Sequence, residues 1–327
     1  MGDQTPLLEV RGLKTYFFTR RGTVKAVDGV SFSLAPGETL AVVGESGSGK
    51  SVTALSILRL VPEPAGRIIG GEVFLDGQDV LKLSRHEMRR VRGSRISMVL
   101  QDPMTSLNPA FSIGDQVGEV VKLHQRVVGG ELRRRVVDAL SRLKIPSAEH
   151  RLADYPHQMS GGMRQRVCGA IALSCQPRLL IADEPTTSLD VTIQAQFLEL
   201  LREIQERFHI SVVFITHDFG IVAATAHKVA VMYAGRIVEM GTTEEIFDHP
   251  AHPYTEALLR CVPRSDRLEG RLVDIPGQPP DLADLAPGCS FAPRCPKAMD
   301  RCWEAYPPEV EVSPGHVTSC WLTVKAP

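Results

Sequence analysis

The sequence predicts an α/β fold in which a parallel sheet with helical crossovers follows an antiparallel β-region. Within residues 7–43, short stretches alternate apolar and polar residues between glycines, which is typical of antiparallel strands. From about 113 to 174 the apolar residues recur at helical spacing. Apolar strands return at 179–182 and 212–215, and the residues of about 191–208 between them read as a helix. Strands that alternate with helices in this way favour a parallel sheet.

Further strands are predicted at 71–76 and 96–100, and a hairpin at 229–239 that turns near Ala234-Gly235. Beyond about residue 263 the chain becomes rich in proline. We interpret this part as a separate, loop-rich appendage.

Length and composition exclude several classes of protein. The chain has 327 residues, 43% hydrophobic and 23% charged, which is ordinary for globular domains. A net charge of −1 gives no electrostatic support for general nucleic-acid binding. No apolar run approaches the roughly 18–20 residues that span a bilayer, and residues 1–6 lack the features of a signal peptide. We therefore expect a cytosolic protein that reaches a membrane only through a partner.

A phosphate-binding loop is predicted directly after the apolar run 39–43. The pattern G-x-x-x-x-G-K-[ST] comprises Gly44, Glu45, Ser46, Gly47, Ser48, Gly49, Lys50 and Ser51. Its glycines let successive N–H groups point at a polyphosphate, and the following helix adds a positive dipole. Lys50 can reach the β- and γ-phosphates, and Ser51 can place its hydroxyl on Mg²⁺. The loop predicts a nucleoside triphosphate as ligand.

Two carboxylates end the apolar strand 179–182. A carboxylate at the end of a strand beside a phosphate loop suits Mg²⁺, a role that we assign to Asp183. Glu184 can orient or deprotonate the attacking water. The pair predicts hydrolysis of the bound nucleotide.

A second glycine-rich stretch, residues 159–166, reads Met-Ser-Gly-Gly-Met-Arg-Gln-Arg. Here the sequence resembles the ATP-binding subunits of ABC transporters, whose signature opens a helix. The resemblance implies that Ser160, Gly161 and Gly162 form a second anion site, which closes over the γ-phosphate bound to the partner subunit. Met159 and Met163 depart from the commonest form of the signature.

Three further residues match the order of motifs in that family. The resemblance implies that Gln101 senses the γ-phosphate and Mg²⁺, that Asp190 lies in the loop crossing the dimer interface, and that His217 holds the γ-phosphate. Residues 16–21 should contain the side chain that stacks on adenine. Tyr16, Phe17 and Phe18 are candidates, of which we assign Tyr16, although spacing points close to Arg21.

Taken together, the resemblance implies a P-loop (RecA-like) ABC ATPase core with an antiparallel β-subdomain and an α-helical signature subdomain. Lys50, Gln101, Glu184 and His217 would be catalytic, and Ser51, Gln101 and Asp183 would bind the Mg²⁺ of the Mg·ATP complex. We predict a nucleotide-binding domain at 1–262, with its helical subdomain at about 102–175.

The resemblance extends to one branch of the family. Residues 101–109, 155–166 and 249–255, together with the tail, resemble the dipeptide/oligopeptide permeases, whose relatives also import nickel or other small solutes. We therefore predict a C-terminal extension of the oligopeptide-permease type at 263–327.

Four cysteines lie in this extension, namely Cys289, Cys295, Cys302 and Cys320. In a reducing cytosol such a cluster is more often metal-binding than disulfide-bonded. The wide spacing matches zinc knuckles poorly, and subunits of this branch resemble carriers of iron–sulfur clusters. We predict a [4Fe–4S] cluster, with zinc or free or oxidised thiols as alternatives.

The predicted function is the energy-coupling ATPase (a translocase subunit) of an importer of di- and oligopeptides. Its partners would be a second, non-identical ATPase subunit, favoured by the Met163 departure, two transmembrane permease subunits and an extracytoplasmic solute-binding protein. It would act at the cytoplasmic face of the bacterial inner membrane. Import of nickel or another small solute, a soluble ABC ATPase for DNA repair or translation, and a regulatory subunit with little hydrolysis of its own are the alternatives.

Overall fold

The computed structural model describes residues 5–100, 106–187, 189–262 and 274–324 of the chain. The strands are β1 (Leu8–Thr19), β2 (Gly22–Leu34), β3 (Thr39–Val43), β4 (Gly66–Leu75), β5 (Gln78–Asp79), β6 (Ile96–Val99), β7 (Leu179–Asp183), β8 (Ser211–Ile215), β9 (Lys228–Tyr233), β10 (Arg236–Thr242), β11 (Val310–Ser313) and β12 (His316–Thr318). The α-helices are α1 (Lys50–Ile57), α2 (Arg85–Val91), α3 (Ile113–Gln125), α4 (Gly129–Arg142), α5 (Gly161–Leu173), α6 (Val191–Phe208), α7 (Phe219–Thr225), α8 (Thr243–Asp248), α9 (Pro253–Arg260) and α10 (Arg301–Glu304).

Contacts between residues divide the chain into two compact units. The signature unit contains residues 5–7, 35–38 and the described residues of 82–214, and the phosphate-loop unit contains 8–34, 39–81 and the described residues beyond 214. Among the described residues of the whole chain, no helix combines the length and the apolar character needed to cross a membrane.

The phosphate-loop unit contains the predicted antiparallel β-region. There β1 pairs with β2 and β4, in the order β2-β1-β4-β5. Its other strands follow the order β11-β12-β10-β9-β3, in which β3 and β9 are parallel. The predicted hairpin is confirmed, because β9 and β10 pair antiparallel. Ala234 and Gly235 both have positive φ, 47° and 81°, as the tight turn between two twisted strands requires.

The signature unit contains the parallel strands β6 and β7, with β8 next in order. Every residue of β7 and β8 is buried, which explains their continuous apolar sequence. Helix α6 spans the predicted residues, 191–208, and the Asp190 carboxylate caps it by accepting the Ile193 N–H at 2.9 Å. Helices α3 and α4 bury one apolar face each, through Val117, Val121, Val136 and Leu140.

The described part of the extension, residues 274–324, is packed into the phosphate-loop unit. Strand β12 adds to β10, with Thr318 opposite Glu239, and the Ser319 N–H donates to the Val238 carbonyl at 2.8 Å. Near the other end of the segment, the Lys25 N–H donates to the Leu282 carbonyl at 3.1 Å. The extension therefore shares the hydrogen-bonded framework of the nucleotide cassette.

A buried carboxylate supports this attachment. Glu239 is 0% exposed, and its oxygens accept the N–H groups of Ala251 and His252 at 2.6 and 3.0 Å and contact His316 Nε2 at 2.8 Å. We expect Glu239→Ala to lower the free energy of unfolding by about 3 kcal/mol, because it leaves buried donors unpaired. Denaturant unfolding measures the change. The exposed Glu309→Ala should stay within about 0.5 kcal/mol of wild type, and equal effects of the two variants would contradict the role of the Glu239 contacts.

Candidate functional site

The phosphate loop connects the fully buried strand β3 to helix α1, as predicted. Gly44 has φ 151°, and a Cβ built there would lie 2.2 Å from the Met232 carbonyl oxygen. Gly49, the N-cap of α1, has φ 107°, and its Cβ would lie 2.2 Å from the Ala26 carbonyl oxygen. Both positions therefore require glycine for space as well as for backbone conformation. The result is a tight loop at the N-terminus of a helix, which is the geometry of a phosphate site.

Lys50 supplies the cation of this loop. Its side chain lies almost buried, 6% exposed, and its ammonium donates to the carbonyls of Gly44 and Glu45 at 2.8 and 2.9 Å. These bonds hold the ammonium against the backbone of the loop. Ser51 follows in the first turn of α1.

His217 lies in the same unit, beyond the end of β8. The residue before it, Thr216, donates its N–H to the carbonyl of Val42 in β3 at 3.3 Å. The imidazole is therefore carried on a segment paired with the strand that leads into the phosphate loop, and the residue is exposed. The next residue, Asp218, caps α7.

Asp183 and Glu184 lie in the signature unit at the end of β7, as predicted. Asp183 is buried at 5% exposure. Glu184 has φ 45°, an uncommon value for a non-glycine residue, and its carboxylate accepts the Thr187 hydroxyl at 3.1 Å. The amide of buried Gln165 donates to the Pro185 carbonyl and holds the turn. Glu184 itself is half-buried at this turn.

The glycine-rich signature opens helix α5. Ser160 is the N-cap and accepts the Met163 N–H at 3.3 Å, and both Ser160 and Gly161 are exposed. A Cβ on Gly162 would lie 2.8 Å from the Ile193 side chain in the first turn of α6, the helix that Asp190 caps. The signature and the Asp190 cap are therefore neighbours within one unit, each at the N-terminus of a helix.

Two predicted residues need separate mention. Gln101 lies outside the described residues. Tyr16, on β1, donates its hydroxyl to Asp28 at 2.7 Å, and burial together with this hydrogen bond raises the pKa of Tyr16 to about 12. Phe18 lies two residues further along β1 and is 48% exposed.

Sequence reasoning missed one contact of the phosphate loop. The Glu45 carboxylate forms a bidentate ion pair with Arg294 of the extension, and the Glu45 N–H donates to the Tyr254 hydroxyl at 2.8 Å. The signal was present in the sequence, since an acidic residue inside an anion-binding loop calls for a nearby cation.

The prediction of a [4Fe–4S] cluster at Cys289, Cys295, Cys302 and Cys320 is wrong. Within the described ranges, no three or more His, Cys, Asp or Glu side chains form a group that could hold a metal ion. The same finding removes the zinc alternative, and all four cysteines are free thiols. Burial raises the pKa of Cys289 and Cys295, and that of Cys320 to about 11. These environments favour the protonated thiol.

The raised pKa values predict slow alkylation of the native tail. A free cysteine has a pKa near 8.5, so a pKa of about 11 lowers the thiolate fraction of Cys320 at pH 7.5 by about two orders of magnitude. Because the pKa is raised, the rate should climb with pH beyond the range in which a free thiol levels off. Mass spectrometry after iodoacetamide pulses across pH 7–10 tests this. Denatured protein is the control, and rapid labelling of native Cys320 at pH 7.5 would contradict the expectation.

Comparison with known families matches both parts of the chain. The model of the ABC transporter family matches residues 27–187, and the model of the oligopeptide/dipeptide transporter C-terminal region matches residues 238–302. The second match covers the parts of the extension that pack against the phosphate loop.

Curated relatives match over nearly the whole chain. A probable peptide ABC transporter ATP-binding protein of Sinorhizobium fredii is 51% identical over 96% of this chain and 94% of its own length. The dipeptide transport ATP-binding protein DppD of Bacillus subtilis is 51% identical over 97% and 94%, and the oligopeptide transport ATP-binding protein AppD of the same organism is 49% identical over 97% and 96%.

Among solved structures, the ATP-binding cassette MJ0796, in a dimeric post-hydrolysis state bound to ADP and phosphate, superposes with a TM-score of 0.65. It is 25% identical and covers 72% of this chain and 98% of its own. Fold, loop geometry and relatives agree that the chain belongs to the ABC transporter family, as an ATP-hydrolysing, ATP-binding protein of the peptide-transport branch.

Proposed function

We propose that the chain powers the import of di- and oligopeptides through an ABC transporter complex. The observation that carries this proposal is the joining of a phosphate loop to an extension of the oligopeptide/dipeptide type, with an ion pair between the two. Curated peptide-transport proteins share about half of their residues with this chain over nearly its full length. This similarity supports peptides as the substrate over nickel or another small solute.

In this proposal the phosphate loop binds the polyphosphate of ATP. The loop N–H groups and the N-terminus of α1 contact the phosphates, and Lys50 exchanges its bonds with the Gly44 and Glu45 carbonyls for bonds to the β- and γ-phosphates. Ser51, Gln101 and Asp183 would hold Mg²⁺, because a hydroxyl, an amide oxygen and a carboxylate are the oxygen ligands that this cation prefers. When bound, Mg²⁺ would neutralise part of the negative charge of the phosphates.

The hydrolytic step is assigned to residues around the γ-phosphate. Glu184 orients the attacking water and accepts its proton, and His217 and Gln101 hold the γ-phosphate and the water in line. The carboxylate of Glu184, half-buried and fixed by Thr187, suits this role.

The signature is proposed to act on the ATP of a second ATPase subunit. Ser160, Gly161 and Gly162 offer a hydroxyl and helix N–H groups to the γ-phosphate held by that subunit, and Asp190 lies beside them. We propose that the second subunit is a non-identical relative, because Met163 gives this chain an uncommon signature. Tyr16 remains our candidate for stacking on adenine.

The remaining partners are two transmembrane permease subunits and an extracytoplasmic solute-binding protein. The chain would then act as a peripheral subunit at the cytoplasmic face of the membrane. Its proposed domains are the nucleotide-binding domain 1–262, with the helical subdomain at about 102–175, and the extension 263–327.

Uptake by the reconstituted transporter tests the substrate class. Proteoliposomes with the complete complex, internal Mg·ATP and external solute-binding protein should accumulate a labelled dipeptide and a labelled tetrapeptide. Replacing Lys50 with Ala should abolish this uptake. ATP-dependent accumulation of nickel without accumulation of either peptide would overturn the assignment.

A further inference from the structure

The phosphate loop carries a negative charge of its own. Glu45 is the second residue of the loop, next to Gly44 and five residues before Lys50. A free carboxylate here would repel the polyphosphate for which the loop is shaped, because like charges a few ångströms apart oppose each other strongly in a partly buried site. The fold must therefore compensate this charge.

Arg294 of the extension supplies the compensating charge. Its Nη1 donates to Glu45 Oε2 at 2.7 Å and its Nη2 donates to Glu45 Oε1 at 3.0 Å, which is the bidentate arrangement of a strong ion pair. The Arg294 side chain is 4% exposed and that of Glu45 is 27% exposed, so the arginine end of the pair is shielded from solvent.

The guanidinium is also held by the extension itself. Its Nε donates to the Pro276 carbonyl at 2.9 Å, and its Nη2 donates to the Ile275 carbonyl at 3.2 Å. These acceptors fix the plane of the guanidinium. The Glu45 carboxylate must therefore take one position to accept both hydrogen bonds from Arg294. The hydrogen bond to Glu45 raises the pKa of Arg294 further above its ordinary value.

Three packed aromatic side chains, Tyr254, Tyr233 and Phe291, hold the backbone of Glu45. The hydroxyl of fully buried Tyr254 accepts the Glu45 N–H at 2.8 Å. Its ring packs on Tyr233 and on Phe291 of the extension, with centroids 4.6 and 5.3 Å away, and the Tyr233 hydroxyl accepts a bond from Arg294 at 3.2 Å. The side chain and the N–H of Glu45 are thus both held by hydrogen bonds.

We propose that Arg294 is a positioning residue of the nucleotide site: it neutralises Glu45, holds the first turn of the phosphate loop and makes the extension part of the apparatus that binds ATP. This inference rests on the proposed function of the loop. The extension acts on ATP through Glu45, and we assign Arg294 no contact with the nucleotide.

The proposal predicts opposite effects for the two members of the ion pair. Arg294→Met frees the Glu45 carboxylate, and we expect the dissociation constant for Mg·ATP to rise about tenfold. Glu45→Gln removes the repulsive charge, and we expect the dissociation constant for Mg·ATP to fall. The double variant should regain most of the affinity lost in Arg294→Met, because no carboxylate remains to repel the phosphates.

Calorimetric titration of the full-length chain with Mg·ATP and Mg·ADP measures these constants. The loss in Arg294→Met should be larger for ATP than for ADP, which carries one negative charge fewer, and should shrink at high salt. Arg301→Met is the matched control. Arg301 lies in the same extension and stacks on Trp321 at 4.2 Å, so its loss removes a cation without touching the loop.

Equal loss of affinity in Arg294→Met, Glu45→Gln and the double variant would overturn the proposal and reduce the ion pair to a packing contact. Thermal unfolding of each variant shows whether any loss of affinity comes from loss of the fold. Lys50→Ala separates this inference from the proposed function. If Lys50→Ala binds ATP as tightly as wild type, the loop is not the nucleotide site and the proposed function fails. If Lys50→Ala does not bind ATP, the loop is the nucleotide site, and the comparison of Arg294→Met, Glu45→Gln and the double variant tests the role of Arg294.

Discussion

Replacing Glu184 with glutamine should lower the rate of ATP hydrolysis about 100- to 10,000-fold while ATP affinity stays within a few-fold of wild type. Glutamine has nearly the same shape as glutamate, and its amide oxygen can still accept the Thr187 hydroxyl, now 3.1 Å from Glu184 Oε2. The amide cannot accept a proton from the attacking water. The loss therefore falls on the chemical step, for which a positioned general base contributes about this factor.

Single-turnover and steady-state assays of the assembled ATPase measure the rate, and nucleotide titration measures the affinity. Thr187→Val is the matched control, because it removes the hydrogen bond to Glu184 but keeps the carboxylate. We expect Thr187→Val to slow hydrolysis by only a few-fold. The Glu184 carboxylate is then held less firmly, but it can still accept the proton of the attacking water. Steady-state turnover at the wild-type rate in Glu184→Gln would refute the catalytic role of this residue.

Local sequence patterns predicted the elements that position the site. Helix α6 begins and ends where its periodicity predicts, since the Asp190 cap and the apolar face are properties of neighbouring residues. The turn at Ala234-Gly235 and the phosphate loop could also be predicted from the sequence, because glycine marks backbone conformations that other residues avoid. In each case the residues that specify the geometry lie within one or two turns of chain.

Contacts between distant residues were not predictable in the same way. Glu45 and Arg294 are separated by 249 positions, and no local pattern pairs them. The cysteines led to an error for the same reason, because a list of spacings does not say whether four thiols converge on one point. A sequence can show that a charge needs a partner, but the fold decides which partner it meets.

Replacing Gly49 with alanine should reduce kcat/KM for ATP about 100-fold or more, the size of effect expected when a site residue is displaced by about 1 Å. A Cβ at this position would lie 2.2 Å from the Ala26 carbonyl oxygen, and φ is 107°, a value that alanine rarely adopts. Neither the backbone carbonyl nor the buried methyl of Met232, 3.3 Å away, can move freely. The loop must therefore shift and displace Lys50, the next residue in the chain.

Gly47 offers a matched control within the same loop. Its φ is also positive, 79°, but a Cβ there would meet no atom within 4 Å. Gly47→Ala should therefore show the backbone cost, about 1–2 kcal/mol of stability, and a smaller loss of kcat/KM than Gly49→Ala. Denaturant unfolding and steady-state kinetics of both variants separate the two effects. If Gly47→Ala and Gly49→Ala were equally impaired in kcat/KM, backbone conformation alone would control the loop, and the close approach of Ala26 would have no role in shaping the site.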